Sequence, residues 1–315
     1  MHSPPKPTRR AFLQRLPLLA AALPGTRATA AQPGPASVAT KPIPATGESI
    51  PVVGLGSWIT FNVGNDPLAL DACTAVMRAF FDAGGRLIDS SPMYGSSQAT
   101  IGFGLARLGG KAPVFAADKV WISSSPGDKR GPAQIDASAR RWGVPRFDLL
   151  QVHNLLDWEA HLPTLLAMKA AGHVRYVGIT TSEGRRHREM ETLLRSQPLD
   201  FVQLTYNPLD LEAEQRLLPL AAERGIAVIA NRPFREGALL QALQRHPLPA
   251  WAASELGCDG WAQYTLKFIV SHPAVTCAIP ATSRVAHVRQ NLGAALGPMP
   301  DAALRRRMAA HVAAL

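Results

Sequence analysis

Short apolar runs alternate with segments of helical periodicity along most of the chain. Apolar runs of this length, bounded by polar or turn-forming residues, are typical of strands buried on both faces. The predicted strands are Arg86–Asp89, Val114–Lys119, Phe147–His153, Val174–Ile179, Phe201–Leu204, Ala227–Ala230 and Thr276–Ile279. The predicted helices are Leu70–Ala83, Ala133–Trp142, Glu159–Ala171, Arg186–Arg195 and Glu212–Arg224.

This alternation of strands and helices predicts one α/β domain rather than two. A (β/α)8 TIM barrel takes about 250 residues and fits a chain of 315 residues that has no repeat shorter than one barrel unit. Pro233–Trp251 interrupts the rhythm with Gly237 and three prolines. We predict that this segment is a loop that closes over a bound cofactor.

Ionisable side chains end three successive predicted strands. Asp89 ends the first, with Tyr94 five residues further on, and Lys119 and His153 end the next two. Taken singly, the Asp is typical of a turn cap, the Lys of a barrel rim and the His of a satisfied core residue. Their joint occurrence indicates an active site, because the carboxyl ends of barrel strands form one face, and the active sites of barrel enzymes lie on that face.

In this order and spacing, together with the loop Pro92–Gly95, the residues resemble the tetrad of the aldo-keto reductases. The resemblance runs from about Pro51 to about Leu296, and Val202–Pro208 and Ile279–Ser283 are similar to the family's later cofactor motifs. It implies that Ser49–Trp58 forms a β-hairpin that plugs the barrel floor and runs into the first barrel strand. It also implies a reductase that transfers hydride from NADPH to an aldehyde or ketone, with NADH not excluded as the cofactor.

The resemblance assigns a role to each member of the tetrad. Tyr94 is the general acid, and Lys119 is expected to lower the pKa of its phenol. Asp89 holds Lys119 charged and aimed, while His153 donates a hydrogen bond to the substrate oxygen. Trp58 and Trp121 match family pocket aromatics and are expected to line the substrate site.

The cofactor motifs match the family in part. Thr180 and Thr181 stand where Ser-Asn is common, and Asn231 replaces a tyrosine that stacks on the nicotinamide ring in many members. Ala281 and His287 replace a lysine and an arginine that some members use for the 2′-phosphate. The residues expected to bind the cofactor are Gly56, Ser57, Thr180, Thr181, Gln203, Asn231, Arg232, Thr282, Arg284, Gln290 and Asn291.

Other classes of protein fit less well. A doubly wound dinucleotide-binding sheet needs G-x-G-x-x-G, which the chain lacks, and Cys73, Cys258 and Cys277 lack the spacing of metal ligands. A nicotinamide-binding, redox-sensing subunit with little turnover stays open because of the departures at Thr181 and Asn231. A barrel hydrolase would have only Asp89 and Asp118 as a weak carboxylate pair.

The excess of positive charge is greatest at the N-terminus. The formal charge is +10, but the first 30 residues contain five Lys or Arg and no acid, which is half of that charge. The remaining basic residues are dispersed, so nucleic acid is not expected as a partner.

The N-terminal segment predicts export. Residues 8–14 read Thr-Arg-Arg-Ala-Phe-Leu-Gln, followed by the apolar run Leu16–Leu23 and by Ala28-Thr29-Ala30, typical of a twin-arginine signal. The apolar run is far shorter than the ~20 residues of a membrane span, so no stable span is expected. We predict a signal at residues 1–30, a flexible leader at 31–48, a barrel at 49–315, the twin-arginine export machinery as a partner and a periplasmic location.

Overall fold

The computed structural model describes residues 1–3, 38–110 and 112–315, and every element below belongs to the unit Ser37–Leu315. Most of the predicted twin-arginine signal, including the arginine pair, and the first part of the predicted leader lie outside the described residues. Within the described ranges, no helix is long and apolar enough to cross a membrane.

Eight parallel strands form the central sheet and pair in chain order. They are β3 (Leu55–Gly56), β4 (Leu87–Asp89), β5 (Phe115–Val120), β6 (Phe147–Val152), β7 (Val174–Thr180), β8 (Phe201–Thr205), β9 (Ala227–Asn231) and β10 (Val275–Ala278). The sheet closes through parallel bridges from Val53 to Ala278 and from Gly56 to Ala281. A Cβ on Gly56 would lie 2.7 Å from the carbonyl oxygen of Ile279, so closure requires glycine there. The predicted (β/α)8 barrel is confirmed.

Helices cover the outside of the barrel. They are α1 (Pro67–Asp82), α2 (Ser97–Arg107), α3 (Arg130–Trp142), α4 (Trp158–Ala170), α5 (His187–Ser196), α6 (Leu217–Glu223), α7 (Ala238–Leu243), α8 (Ala250–Leu256), α9 (Trp261–Val270), α10 (Val285–Gly293) and α11 (Ala302–Ala313). The five predicted helices are present with shifted ends. For example, α1 begins earlier than predicted because the Asp66 carboxylate accepts from the backbone N–H of Leu68 and Pro67 occupies the first turn.

Helix α2 has no counterpart among the predicted elements because two glycines weaken its helical pattern. The packing explains the glycines. A Cβ on Gly102 would lie 1.9 Å from the carbonyl oxygen of Arg141, and one on Gly104 would lie 2.6 Å from the sulfur of Met77. The glycines therefore let α2 approach α3 and α1 more closely than any other residue would allow.

An antiparallel hairpin, β1 (Thr40–Pro42) with β2 (Ser49–Pro51), closes the barrel floor. Ile43 and Ile50 are fully buried and pack with the barrel interior. The hairpin starts inside the segment predicted as a flexible leader. Its first strand is held by Lys41, whose ammonium donates to three carbonyl oxygens between residues 270 and 275, each at 2.7 Å. The local sequence does not contain those acceptors, so composition could not show the anchor.

The segment after β9 is more ordered than the loop predicted at Pro233–Trp251. It contains a short 3-10 turn at Arg235–Gly237, then α7 and the start of α8. Gly237 has a φ of 96° and marks the start of α7, whose Leu239 and Leu243 are buried. Helix α7 has only 6 residues, too few to be stable by itself. It forms because its two buried leucines pack against the rest of the protein.

Alternation along β5 separates the two faces of the barrel wall. Phe115 and Ala117 belong to the interior cluster, whereas Ala116 and Val120 pack against the surrounding helices. Lys119 falls in the inward set and Asp118 in the outward set. This alternation decides which of the two adjacent charged residues reaches the barrel mouth.

Candidate active site

Lys119 and Asp89 form a buried ion pair at the carboxyl ends of β5 and β4. The Lys119 ammonium lies 2.5 Å from Asp89 Oδ2 and donates to the carbonyl oxygen of Ser90 at 2.8 Å. The two side chains are only 1% and 2% exposed. Burial disfavours the charged lysine, but the carboxylate of Asp89 and the phenol of Tyr94 outweigh it and raise the pKa of Lys119. The lysine is therefore a fixed cation at neutral pH.

Tyr94 reaches the same place from the turn that follows β4. Its backbone N–H donates to the carbonyl oxygen of Ser91 at 3.0 Å, and the Lys119 ammonium lies 5.0 Å from the centre of its ring. Burial raises the pKa of the Tyr94 phenol, and this outweighs the lowering by Lys119. Lys119 acts in the expected direction on the pKa of Tyr94, but burial, which the sequence did not indicate, has the larger effect. The phenol consequently keeps its proton at neutral pH.

His153 follows β6 directly and faces Tyr94. The two rings meet edge to face with centroids 5.7 Å apart, and His153 Nδ1 lies 2.8 Å from the hydroxyl of Ser91. Burial, and to a lesser degree the charge of Lys119, lowers the pKa of His153 to about 2. The imidazole is therefore neutral, and it can donate one hydrogen bond without acting as an acid.

A cavity of about 540 Å³ extends from the strand ends of the tetrad to helix α10. Asp89, Tyr94 and His153 line it, with Lys119 behind them. Ten of the predicted cofactor residues also line it: Gly56, Ser57, Thr180, Thr181, Gln203, Asn231, Arg232, Thr282, Gln290 and Asn291. Arg284, the remaining one, lies at the N-cap of α10 with its side chain exposed and is not among the lining residues.

Gln203 and Asn231 are held by other protein groups. Gln203 Nε2 donates to Asp89 Oδ1 at 2.9 Å, so this amide fixes the carboxylate that holds Lys119. The Asn231 amide donates to the carbonyl oxygen of Thr181 at 2.8 Å. The sequence predicted only a cofactor-binding role for both residues. The contact of Gln203 with Asp89 had no sequence signal, because the two residues lie 114 positions apart.

The hydroxyl groups near the cavity contact different partners. Ser57 donates to the carbonyl oxygen of Asp89 at 2.8 Å, and Thr180 accepts from the backbone N–H of Asn154 at 3.1 Å. The Thr181 hydroxyl points to the sulfur of Met190 at 3.8 Å. Thr180 is therefore the better placed of the two threonines to present a hydroxyl near the strand ends.

Two tryptophans flank the tetrad. The ring of Trp58 lies 6.2 Å from that of Tyr94 and lines the cavity, with 36% of the residue exposed. The ring of Trp121 lies 6.5 Å from that of His153 and is 40% exposed, but it stands outside the cavity lining. Both leave an apolar surface open beside the phenol and the imidazole.

An ion-pair cluster links the loops after β7 and β9 along the cavity. Arg232 Nη1 lies 3.0 Å from Glu183 Oε1 and 2.5 Å from Glu236 Oε1. All three residues line the cavity and have positive φ angles of 49°, 61° and 59° respectively. Sequence reasoning selected Arg232 but missed both glutamates, since nothing local indicates that they meet one arginine.

Asp118 does not pair with Asp89 across the cavity. Its Oδ2 accepts from Gln98 Nε2 at 2.7 Å, it is absent from the cavity lining, and burial raises its pKa to about 7. The carboxylate pair of a hydrolase is thus not formed by these two residues. Within the described ranges, no group of three His, Cys, Asp or Glu side chains could hold a metal ion.

Comparison with known proteins agrees with this geometry. The sequence model of the Aldo/keto reductase family matches residues 52–306. Methylglyoxal reductase YeaE of Escherichia coli is 28% identical over 242 residues, covering 76% of this chain and 83% of the relative. The NADH-specific methylglyoxal reductase of the same organism is 26% identical, covering 64% and 68%.

A solved aldo/keto reductase of Klebsiella pneumoniae, in complex with NADP and acetate, has the same fold. Its TM-score is 0.70 at 23% identity, with 84% of this chain and 93% of that chain covered. The family match spans most of the barrel and includes all four tetrad positions. The chain belongs to the aldo/keto reductase family of oxidoreductases.

Proposed function

We propose that this protein reduces aldehydes or ketones with hydride from NADPH, and that Tyr94 donates the proton to the carbonyl oxygen. The observation that carries the proposal is the pairing of a protonated phenol and a neutral imidazole at one end of the cavity, backed by the buried Lys119–Asp89 pair. Carbonyl reduction needs both a proton donor and a polarising donor beside the oxygen.

The cavity fits a nicotinamide cofactor. Its lining offers hydroxyl, amide and guanidinium groups, the donors that a carboxamide, two riboses and a diphosphate require. When bound, the reduced cofactor supplies the hydride. The Klebsiella pneumoniae protein is described with NADP and an Escherichia coli relative as NADH-specific, so NADPH is the first cofactor to test and NADH the second.

Each tetrad residue has a separate task in this reaction. The Tyr94 hydroxyl gives its proton to the carbonyl oxygen, and the Lys119 cation stabilises the phenolate that remains. Asp89 keeps the ammonium in place, itself held by Gln203. His153 donates a hydrogen bond to the same carbonyl oxygen, which polarises the carbonyl towards attack.

The test is NADPH oxidation by the full-length protein with methylglyoxal and with an aromatic aldehyde, comparing wild type with Tyr94→Phe. Two relatives are named methylglyoxal reductases, which makes that dicarbonyl the natural first substrate. We expect Tyr94→Phe to lower kcat by about 100-fold or more while the Kd for NADPH changes by less than about twofold. Tight NADPH binding without turnover in wild type would instead favour a redox-sensing subunit.

We also propose that the protein is exported through the twin-arginine pathway to the periplasm. The support is the sequence of residues 8–30, with its arginine pair, short apolar run and Ala-Thr-Ala ending. In a bacterial host with this pathway, we expect the mature protein in the periplasmic fraction and the Arg9→Lys, Arg10→Lys double variant in the cytoplasm. Cytoplasmic retention of the wild type would contradict export.

A further inference from the structure

Ser91 is the first residue of the turn that carries Tyr94, and its carbonyl oxygen accepts from the Tyr94 N–H at 3.0 Å. It is fully buried, and its hydroxyl lies 2.8 Å from His153 Nδ1. The same hydroxyl oxygen accepts from the backbone N–H of Met93 at 3.2 Å. One side chain thus connects the backbone of the turn that carries Tyr94 to the imidazole ring.

The hydrogen-bond capacity of the hydroxyl fixes the direction of its contact with the ring. A serine hydroxyl has one proton to donate and two lone pairs that accept. Met93 uses one lone pair, and within the described residues the only acceptor recorded for the proton is His153 Nδ1. If the ring donated instead, the hydroxyl proton would be buried without an acceptor, which is costly.

The protonation state of the ring then determines whether the second ring nitrogen, Nε2, carries a proton. His153 is neutral, because burial lowers its pKa to about 2, and a neutral imidazole carries one N–H. A ring that accepts at Nδ1 must carry its proton on Nε2. Since Nδ1 is turned to Ser91 and the ring lines the cavity, Nε2 is the nitrogen available to a substrate.

We propose that Ser91 is a positioning residue that holds His153 in the tautomer with the proton on Nε2, so that the ring presents a hydrogen-bond donor to the substrate carbonyl. The part of this inference that concerns the carbonyl rests on the proposed function. The tautomer itself does not, because it follows from contacts within the protein. The opposite tautomer would present a lone pair to the carbonyl oxygen and repel it.

The tautomer can be measured directly by nuclear magnetic resonance. Two-bond proton–nitrogen correlations of the imidazole in the 15N-labelled full-length protein show which ring nitrogen is protonated, and His153→Asn identifies the signal by its loss. We expect the wild type to carry the proton on Nε2 and Ser91→Ala to show a second population protonated on Nδ1. A wild-type ring protonated on Nδ1, or a ring unchanged in Ser91→Ala, would overturn the proposal.

Kinetics supply the second readout. We expect Ser91→Ala to lower kcat by about threefold to tenfold with little change in KM or in the Kd for NADPH, the size of effect expected for one neutral hydrogen bond. Ser91→Thr keeps the hydroxyl and should restore the wild-type tautomer. Ser138→Ala is the matched control: Ser138 is also buried, but its hydroxyl accepts from Gln98 and lies outside the cavity lining.

The two readouts separate the possible failures. If the wild type shows no turnover with any carbonyl, the proposed function fails, while the resonance experiment still decides whether Ser91 sets the tautomer. If the wild type turns over and Ser138→Ala loses as much kcat as Ser91→Ala, the loss reflects a missing buried hydroxyl in general and the positioning role is refuted.

Discussion

The two ends of the cavity are built in different ways. At the tetrad end, Lys119 and Asp89 are 1% and 2% exposed and lie on adjacent strands of the barrel. In the loops after β7 and β9, the Arg232 side chain is 20% exposed and those of its partners Glu183 and Glu236 are 33% and 41% exposed. One end is a buried pair on the sheet, and the other is a solvated cluster on two loops.

The difference shows where positional accuracy comes from. Strand ends are fixed by the hydrogen bonds of the barrel, so the Lys119–Asp89 ion pair placed there keeps its geometry. The loop residues Glu183, Arg232 and Glu236 all have positive φ angles, a conformation that costs free energy for residues other than glycine. The ion pairs of Arg232 with the two glutamates offset part of that cost.

The largest effect is expected when the buried pair is broken. Lys119→Met leaves the Asp89 carboxylate buried with no cation, and the free energy of unfolding should fall by about 3–5 kcal/mol. Turnover should also fall, by about 100-fold or more, because the Tyr94 phenolate loses its counter-charge. Denaturant unfolding and steady-state kinetics measure the two losses.

Lys267→Met is the matched control for that variant. Lys267 is also 1% exposed, but its ammonium donates to the carbonyl oxygens of Leu296 and Pro298. Its removal therefore leaves no carboxylate without a cation. It should lose less stability than Lys119→Met and keep its turnover. Equal losses in both variants would mean that buried volume, not charge pairing, dominates at the tetrad end.

A smaller effect is expected in the loops after β7 and β9. Arg232→Ala removes the link between the loops after β7 and β9, and the Kd for NADPH should rise by about twofold to tenfold, with a weaker dependence on salt. Fluorescence titration at several ionic strengths measures both. The control is Arg307→Ala, which breaks the remote exposed pair with Glu255. An equal rise of the Kd for NADPH in that variant would show that the loops after β7 and β9 do not contribute to cofactor binding.

The smallest effect concerns pH. Burial raises the pKa of Tyr94 and lowers that of His153 to about 2, so the first stays protonated and the second neutral between pH 6 and 9. We expect kcat for reduction to change by less than about twofold over that range. Burial raises the pKa of Asp118 from 3.8 to about 7, so its protonated form contributes stability that is present below about pH 4 and is lost as the pH rises from there to about 7. Asp118 lies outside the cavity lining. A break in kcat near pH 7 would connect Asp118 to the chemistry after all.

Most of the barrel was predictable because its strands are continuous apolar runs separated by helical periodicity. The parts that escaped prediction depend on distant partners. Helix α2 contains glycines that only its contacts with α1 and α3 explain. Strand β1 is anchored by carbonyl groups more than two hundred positions away.

The barrel could be predicted from the sequence, and so could the place of Asp89, Lys119 and His153 on one face of it, because parallel strands bring their carboxyl ends together whatever the loops do. Other features of the site were set by the tertiary structure. It raised the pKa of Tyr94 by burial, left Arg284 and Trp121 outside the cavity lining, and joined Ser91 to His153. Desolvation and hydrogen bonding between residues far apart in the chain depend on packing, which a local pattern of side chains does not contain.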